Sequence, residues 1–210
     1  MPRDAAATRD RLIEVGQHHF AQFGVHTTPL SRIVAEAGQR NSSALHYHFA
    51  TGGLDAREGL LFAIIDTHNR SIEDDRRARL DELEHLGAVD DGGLRRLVVA
   101  VIEPMAAKLS TEDGREFLSI ISQLVDWFDR WDRGGSPEQA LRAFRLIEAA
   151  LPSRLSPAIR RERISRFLEM VSEALGYRAR QINNGRRPML EHREYVDNLV
   201  DMAVGALGAG

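Results

Sequence analysis

The chain has 210 residues, 43% hydrophobic and 28% charged, the balance of a globular protein rather than a disordered or fibrous one. Cysteine is absent, which excludes disulfides, thiolate metal sites and thiol redox chemistry. A net charge of -3 excludes a protein that coats nucleic acid by bulk charge, so any positive potential must be local.

Every segment with a pattern reads as helix. Thr8 suits the cap of a first helix, with Asp10 in its first turn. Its apolar face is Leu12, Ile13, Gly16, Phe20 and Phe23, and Gly24 ends it. Thr28-Pro29 restarts the helix as cap and first residue. Leu30, Ile33, Val34 and Ala37 form the inner face of this second helix, and Gly38 stops it. A third helix starts at Asn41 or Ser42, with Leu45 and Phe49 inward. Two short helices joined around a Gly form a helix-turn-helix pattern. Residues 1–50 hold five Arg against four acids, so this head is near neutral and slightly positive.

Residues 50–54 are the expected boundary between a helix-turn-helix domain, 1–54, and a helical body, 55–210. Asp55 and Glu58 form a capping box for a long fourth helix to about Leu86. Asp90 to Gly93 reads as a turn. The fifth helix carries Leu94, Val98, Val101, Met105 and Leu109, with Pro104 inside it. Pro104 removes one backbone bond and is expected to kink the helix. A sixth helix runs from Thr111 to Trp131 and is apolar on several sides, as a core helix is. Ser136-Pro137 opens a seventh, Ser156-Pro157 an eighth to about Asn183, and Pro188 a ninth to about Leu207. The fold class is therefore all-α. No run of about 18 apolar residues is present. Met1 to Asp10 lacks the apolar core of a secretory signal, so a cytoplasmic location is expected.

The run Leu12-Ile13, Phe20, Gly24, Thr28, Ile33, Ala37-Gly38 and Leu45-His46-Tyr47-His48-Phe49 resembles the head of TetR family transcription regulators. The nine-helix layout resembles the family over the rest of the chain in architecture only. Three departures stand out: Gln39-Arg40 lengthens the turn by one residue, Ser43 replaces a frequent Gly, and the connector carries Gly52-Gly53. The resemblance implies an N-terminal three-helix DNA-binding head and a ligand-binding, dimer-forming body. It also implies a repressor that leaves a pseudo-palindromic operator when a small, mostly apolar effector binds.

On that reading the third helix enters the major groove. Arg40, Asn41, Ser42 and Ser43 lie nearest the bases, where bidentate or short hydrogen-bonding side chains read base edges. His46 is a further polar group on this helix. Thr28, Tyr47 and His48 are expected on phosphates, where they set register. Asn41 has a second, compatible role as a cap. His46 and His48 at i and i+2 point to different faces and make no metal site. In the body, His68, Pro104, Met105, Phe117, Gln123 and Trp127 are polar, aromatic or kink-forming groups on apolar helices, as a small-molecule pocket uses. Leu168, Val171, Leu175, Tyr195, Leu199 and Met202 lie on two last helices with two apolar sides each, which implies packing on the body and on something else; the resemblance implies that this is the same pair of helices of a second subunit.

An all-helical enzyme and a protein-binding adaptor are the rival classes. The sequence has no Gly-rich phosphate loop, metal triad or Ser/His/Asp arrangement. Neither rival needs a capped helix-turn-helix with a polar third helix. The expectation is a non-enzyme without a cofactor.

Overall fold

The computed structural model describes residues 2–39, 41, 43–85, 93–124 and 137–209, without the side chains of residues 2–4. Among the described residues all regular elements are helical. The chain divides into two compact units, Met1–Asn69 and Arg70–Gly210, and the division passes through the fourth helix.

In the first unit, α1 (Pro2–Phe23) begins well before Thr8, on a proline that costs no hydrogen bond at a helix start. Leu12, Val15 and Phe20 of its inner stripe are buried. Gly16 belongs to the same stripe, where a Cβ would stand 2.8 Å from a Leu60 methyl. The expected cap of the next helix is not formed. The Thr28 hydroxyl turns back and donates to the carbonyls of Gly24 at 2.7 Å and His19 at 3.1 Å. The end of α1 offers acceptors that its own ladder leaves underused, and a nearby hydroxyl takes them. Pro29 therefore precedes α2 (Leu30–Glu36) with no side-chain cap.

Gly38, at φ +73°, stops α2 as the sequence implies. Gln39 N–H donates to Val34 and Gly38 N–H to Ala35, the paired bonds of a left-handed helix stop. Next, α3 (Ser43–Phe49) buries Leu45 and Phe49. The helix α4 (Ala56–His85) starts on the expected capping box. Asp55 Oδ1 accepts from Arg57 and Glu58 N–H, and the Glu58 carboxylate accepts from Asp55 N–H at 3.2 Å. One turn later Gly59 meets the end of α3. A Cβ there would lie 1.9 Å from the Phe49 carbonyl oxygen.

In the second unit, α5 (Gly93–Ala106) contains Pro104 and passes into a 3-10 turn at Ala107–Ser110. The missing proline N–H weakens the α-ladder just before that change. Thr111 caps α6 (Glu112–Ile121) by accepting from Gly114 N–H at 3.1 Å. This helix is shorter than its apolar pattern implies. A continuing helix would offer the Ser119 carbonyl to Gln123 N–H. That carbonyl instead accepts the Ser122 hydroxyl at 3.1 Å and the Gln123 side-chain amide at 3.0 Å, while Gln123 N–H goes to Ile120. Val125 to Trp131, expected in the same helix, lie outside the described residues.

The start of α7 (Glu138–Ala150) is held from α4. One Glu73 oxygen accepts from Gln139 N–H at 2.7 Å and the other pairs with the buried Arg76. Ser156 caps α8 (Pro157–Asn183), accepting from Ile159 N–H at 3.3 Å. The last helix, α9 (His192–Gly208), starts after Glu191 rather than at Pro188, which lies in the connector. α8 lies along α6 and beside α9, while α5 packs on α7 and α9. Phe117 and Leu118, Phe167 and Leu175, and Val200 and Leu207 fill the space between them. No helix among the described residues is long and apolar enough to cross a membrane.

The Gly59 contact gives a direct test. Its neighbour is backbone and cannot swing aside, so Gly59→Ala is expected to destabilise the first unit. The cost of such overpacking is about 1–3 kcal/mol. Urea unfolding followed by circular dichroism measures it. A variant as stable as the parent would show that α3 is not held there.

Candidate functional site

α3 has one buried side and one solvent side. Leu45 and Phe49 anchor it, and the Arg9 guanidinium lies over the Phe49 ring at 5.3 Å. Ser43 and His46 are exposed, His48 is half-buried, and Tyr47 is 79% exposed. An aromatic side chain left that far in water has no packing role in this chain. It stands edge-to-face with His48, ring centroids 5.0 Å apart. Asn41 is exposed, and its Oδ1 accepts from Ser43 N–H at 3.0 Å, so the capping role expected of it is formed. Arg40 and Ser42 lie outside the described residues.

A groove of about 460 Å³ runs beside this helix, lined by Thr8 of α1 and by Gln39, Asn41, Ser43, Tyr47 and His48 among others. The sequence reading missed Thr8 and Gln39 here. Thr8 looked like a helix cap, and nothing in a linear pattern places mid-helix α1 next to α3. Thr28 leaves the set of surface donors. It is 1% exposed, and its hydroxyl is committed to the end of α1. The groove thus gathers amide, hydroxyl and imidazole groups, all able to hydrogen-bond and none a strong nucleophile or paired acid. Among the described residues no three acidic or histidine side chains gather as a metal site does.

The support beneath α2 is polar. His19, 1% exposed, shares a 2.7 Å hydrogen bond between its Nε2 and the Glu36 carboxylate. That bond, with the positive character of His19, His18 and Arg32 nearby, holds the Glu36 carboxyl below its ordinary 4.5. His19 also stacks on Phe23, and Arg32 covers the Phe23 ring at 4.6 Å. Arg57 donates to the Val25 carbonyl and lies over Phe20. These arginines brace aromatic rings.

The residues expected to line an effector pocket fall in both units. His68 belongs to the first unit, is 2% exposed, and bonds through Nε2 to Gln17 of α1 at 2.9 Å. Pro104 and Phe117 are buried in the second unit, and Met105 is half-buried. The Gln123 amide is engaged with Ser119. Trp127 lies outside the described residues. A cleft of about 370 Å³ between α4 and α5 is lined by other side chains, among them Arg79, Leu83, Arg95 and Val99.

The residues expected at a subunit interface divide in two. Val171, Leu175 and Leu199 are at most 3% exposed, filling the chain's own core. Leu168 is half-buried, and Met202 is 54% exposed. Tyr195 is half-buried, its hydroxyl donates to the Ala174 carbonyl at 2.8 Å, and burial pushes its pKa up to about 12. The outward side of α8 instead carries Met170, Ala174, Tyr177 and Gln181, which line a groove of about 480 Å³ with Leu199, Met202 and the connector residues Met189 and Leu190.

No protein-family model matches the chain, and no curated protein is similar to it in sequence.

The His19–Glu36 bond carries a pH signature. Because the Glu36 carboxyl is held low in the folded state, its stabilising effect is complete above the ordinary glutamate value and fades as pH falls through the folded one. Glu36→Gln should lower the melting temperature at neutral pH, and the gap to the parent should close below about pH 4, the usual glutamate range. A gap that stays constant down to acid pH would show that the charge of Glu36 contributes nothing.

Proposed function

We propose that the chain is a sequence-specific DNA-binding transcription regulator, acting as a two-fold dimer whose α3 helices read duplex DNA. The observation that carries this reading is α3 itself: anchored by Leu45 and Phe49, it leaves Asn41, Ser43, His46 and a 79% exposed Tyr47 in solvent. Amide and hydroxyl side chains on an exposed helix are the groups that pair with base edges, and tyrosine hydroxyls commonly bond phosphate oxygens. Gly38 stops α2 ahead of α3, and two short helices following a Gly stop in this way are the pattern of a helix-turn-helix. The head sequence also resembles the TetR family, and that resemblance extends the reading to a repressor released by a small, mostly apolar effector. Such an effector shifts DNA affinity only if it binds the DNA-incompetent state more tightly, and operator DNA must then weaken effector binding by the same factor.

Two substitutions separate reading from positioning. Tyr47→Ala removes an exposed side chain and leaves the fold alone. It should weaken binding to all duplexes alike and leave the salt slope unchanged, because the phenol carries no charge and releases no counterion. Asn41→Ser keeps an oxygen able to cap α3 while deleting the amide donors. It should leave stability unchanged and alter sequence preference, with roughly 1–3 kcal/mol lost on the preferred site. Fluorescence anisotropy with duplexes from the region upstream of the protein's own gene measures both. Absence of parent binding at low salt would overturn the proposal.

A further inference from the structure

Histidine is unevenly distributed in this chain: residues 1–50 hold five, and the rest of the chain holds three. The five Arg and four acids of the same stretch nearly cancel. Histidine is the side chain that ordinarily changes charge between about pH 5 and 8, so its protonation is the largest charge change open to this head near neutral pH.

The described arginines of the first unit are engaged by its own fold. Arg11 pairs with Glu14 at 2.8 Å, Arg32 covers the Phe23 ring, Arg9 lies over Phe49, and Arg57 donates to the Val25 carbonyl. On α3 itself the basic side chains are His46 and His48. His46 is exposed, and His48 is half-buried and lines the groove together with Tyr47. No carboxylate lines that groove among the described residues. Acids on the neighbouring elements are engaged elsewhere: Glu14 of α1 holds Arg11, Glu36 of α2 bonds His19, and Asp55 and Glu58 at the start of α4 accept backbone N–H. Asp10 of α1 is exposed and does not line the groove. The head's other histidines lie on α1 or just after it, with His19 buried and His18 and His26 exposed.

A duplex is held by cations that neutralise its phosphates, and each such cation releases counterions. A neutral imidazole donates one hydrogen bond and no charge; an imidazolium donates two and carries the charge that a phosphate needs. We infer that His46 and His48 are proton-linked phosphate contacts, so that duplex binding takes up protons and strengthens as pH falls. The sign follows from linkage: phosphates favour the charged imidazoles, the complex holds more protons than the free chain, and added protons drive its formation. The inference rests on the DNA-binding reading of α3 and names the regulation of that same site. Proton concentration sets how tightly the helix is held, while Asn41 and Ser43 beside it select the sequence.

Fluorescence anisotropy of the full chain with a mixed-sequence duplex tests it, since non-specific binding uses phosphate contacts and needs no known operator. At fixed ionic strength the parent should bind about tenfold more tightly at about pH 6 than at about pH 8. Its salt slope should steepen by about one to two units over the same change. His46→Gln with His48→Gln keeps polar side chains that do not titrate and should flatten both responses. Calorimetry in two buffers of different ionisation enthalpy should show proton uptake by the parent and much less by this double variant, a difference that a loosened fold would not produce. If the double variant fails to fold, His46→Gln alone, at an exposed position, should remove about half of the change in salt slope. Parent binding that is equal at both pH values would overturn the inference and leave the regulator reading standing. A variant that keeps the full pH dependence would overturn it too, by placing the titration on other groups. Absence of duplex binding at either pH would refute both.

Discussion

The contact between Gly59 and the Phe49 carbonyl is the constraint on which the first unit depends. A Cβ at 1.9 Å from that oxygen is sterically impossible, so α4 and the end of α3 approach as closely as two backbones can. That contact fixes one end of α3. Leu45 and Phe49 fix its inner side, and Asn41 closes the other end by taking Ser43 N–H. With position and rotation set in this way, the outward side is determined. The polar residues 41, 43, 46 and 47 are exposed because 45 and 49 cannot be.

Beneath α3 the support is hydrogen-bonded as well as apolar. Thr28 ties the turn after α1 to its own helix end, and His19 ties α1 to Glu36 of α2. Both are side chains that a surface reading assigns to solvent or ligand. In the second unit the same contrast appears in charge. Arg76 is buried beside Glu73, whose second oxygen caps α7, so that cation serves the fold. Arg178 is nearly as buried, and among the described residues its guanidinium rests on the Tyr195 ring and the Leu190 carbonyl rather than on a carboxylate.

Much of the fold was legible in the sequence because helix stops and starts are local chemistry. Gly24, Gly38, the Asp55–Glu58 box and Ser156-Pro157 act within a few residues of themselves, and each stands where its pattern implies. The failures are tertiary. Thr28 has two sets of backbone partners within reach, and sequence cannot say which it takes. The α6 pattern continues past Ile121, but the Ser122 hydroxyl and the Gln123 amide take the carbonyl that helix extension needs. On α8 the apolar period was plain while its phase was not. Val171 and Leu175 face the core, and Met170, Ala174 and Tyr177 face out. The bond between His68 and Gln17 joins residues 51 positions apart, which no local pattern shows.

The central claim is that α3 reads DNA in a two-fold arrangement, and selection from a pool of random-sequence duplexes tests it most directly. Two α3 helices related by a two-fold axis should enrich an inverted repeat, its half-sites about one helical turn, or roughly 10 base pairs, apart. Recovery of such a repeat by the parent is the predicted result. Sequences without enrichment, or with no repeat, would contradict the account.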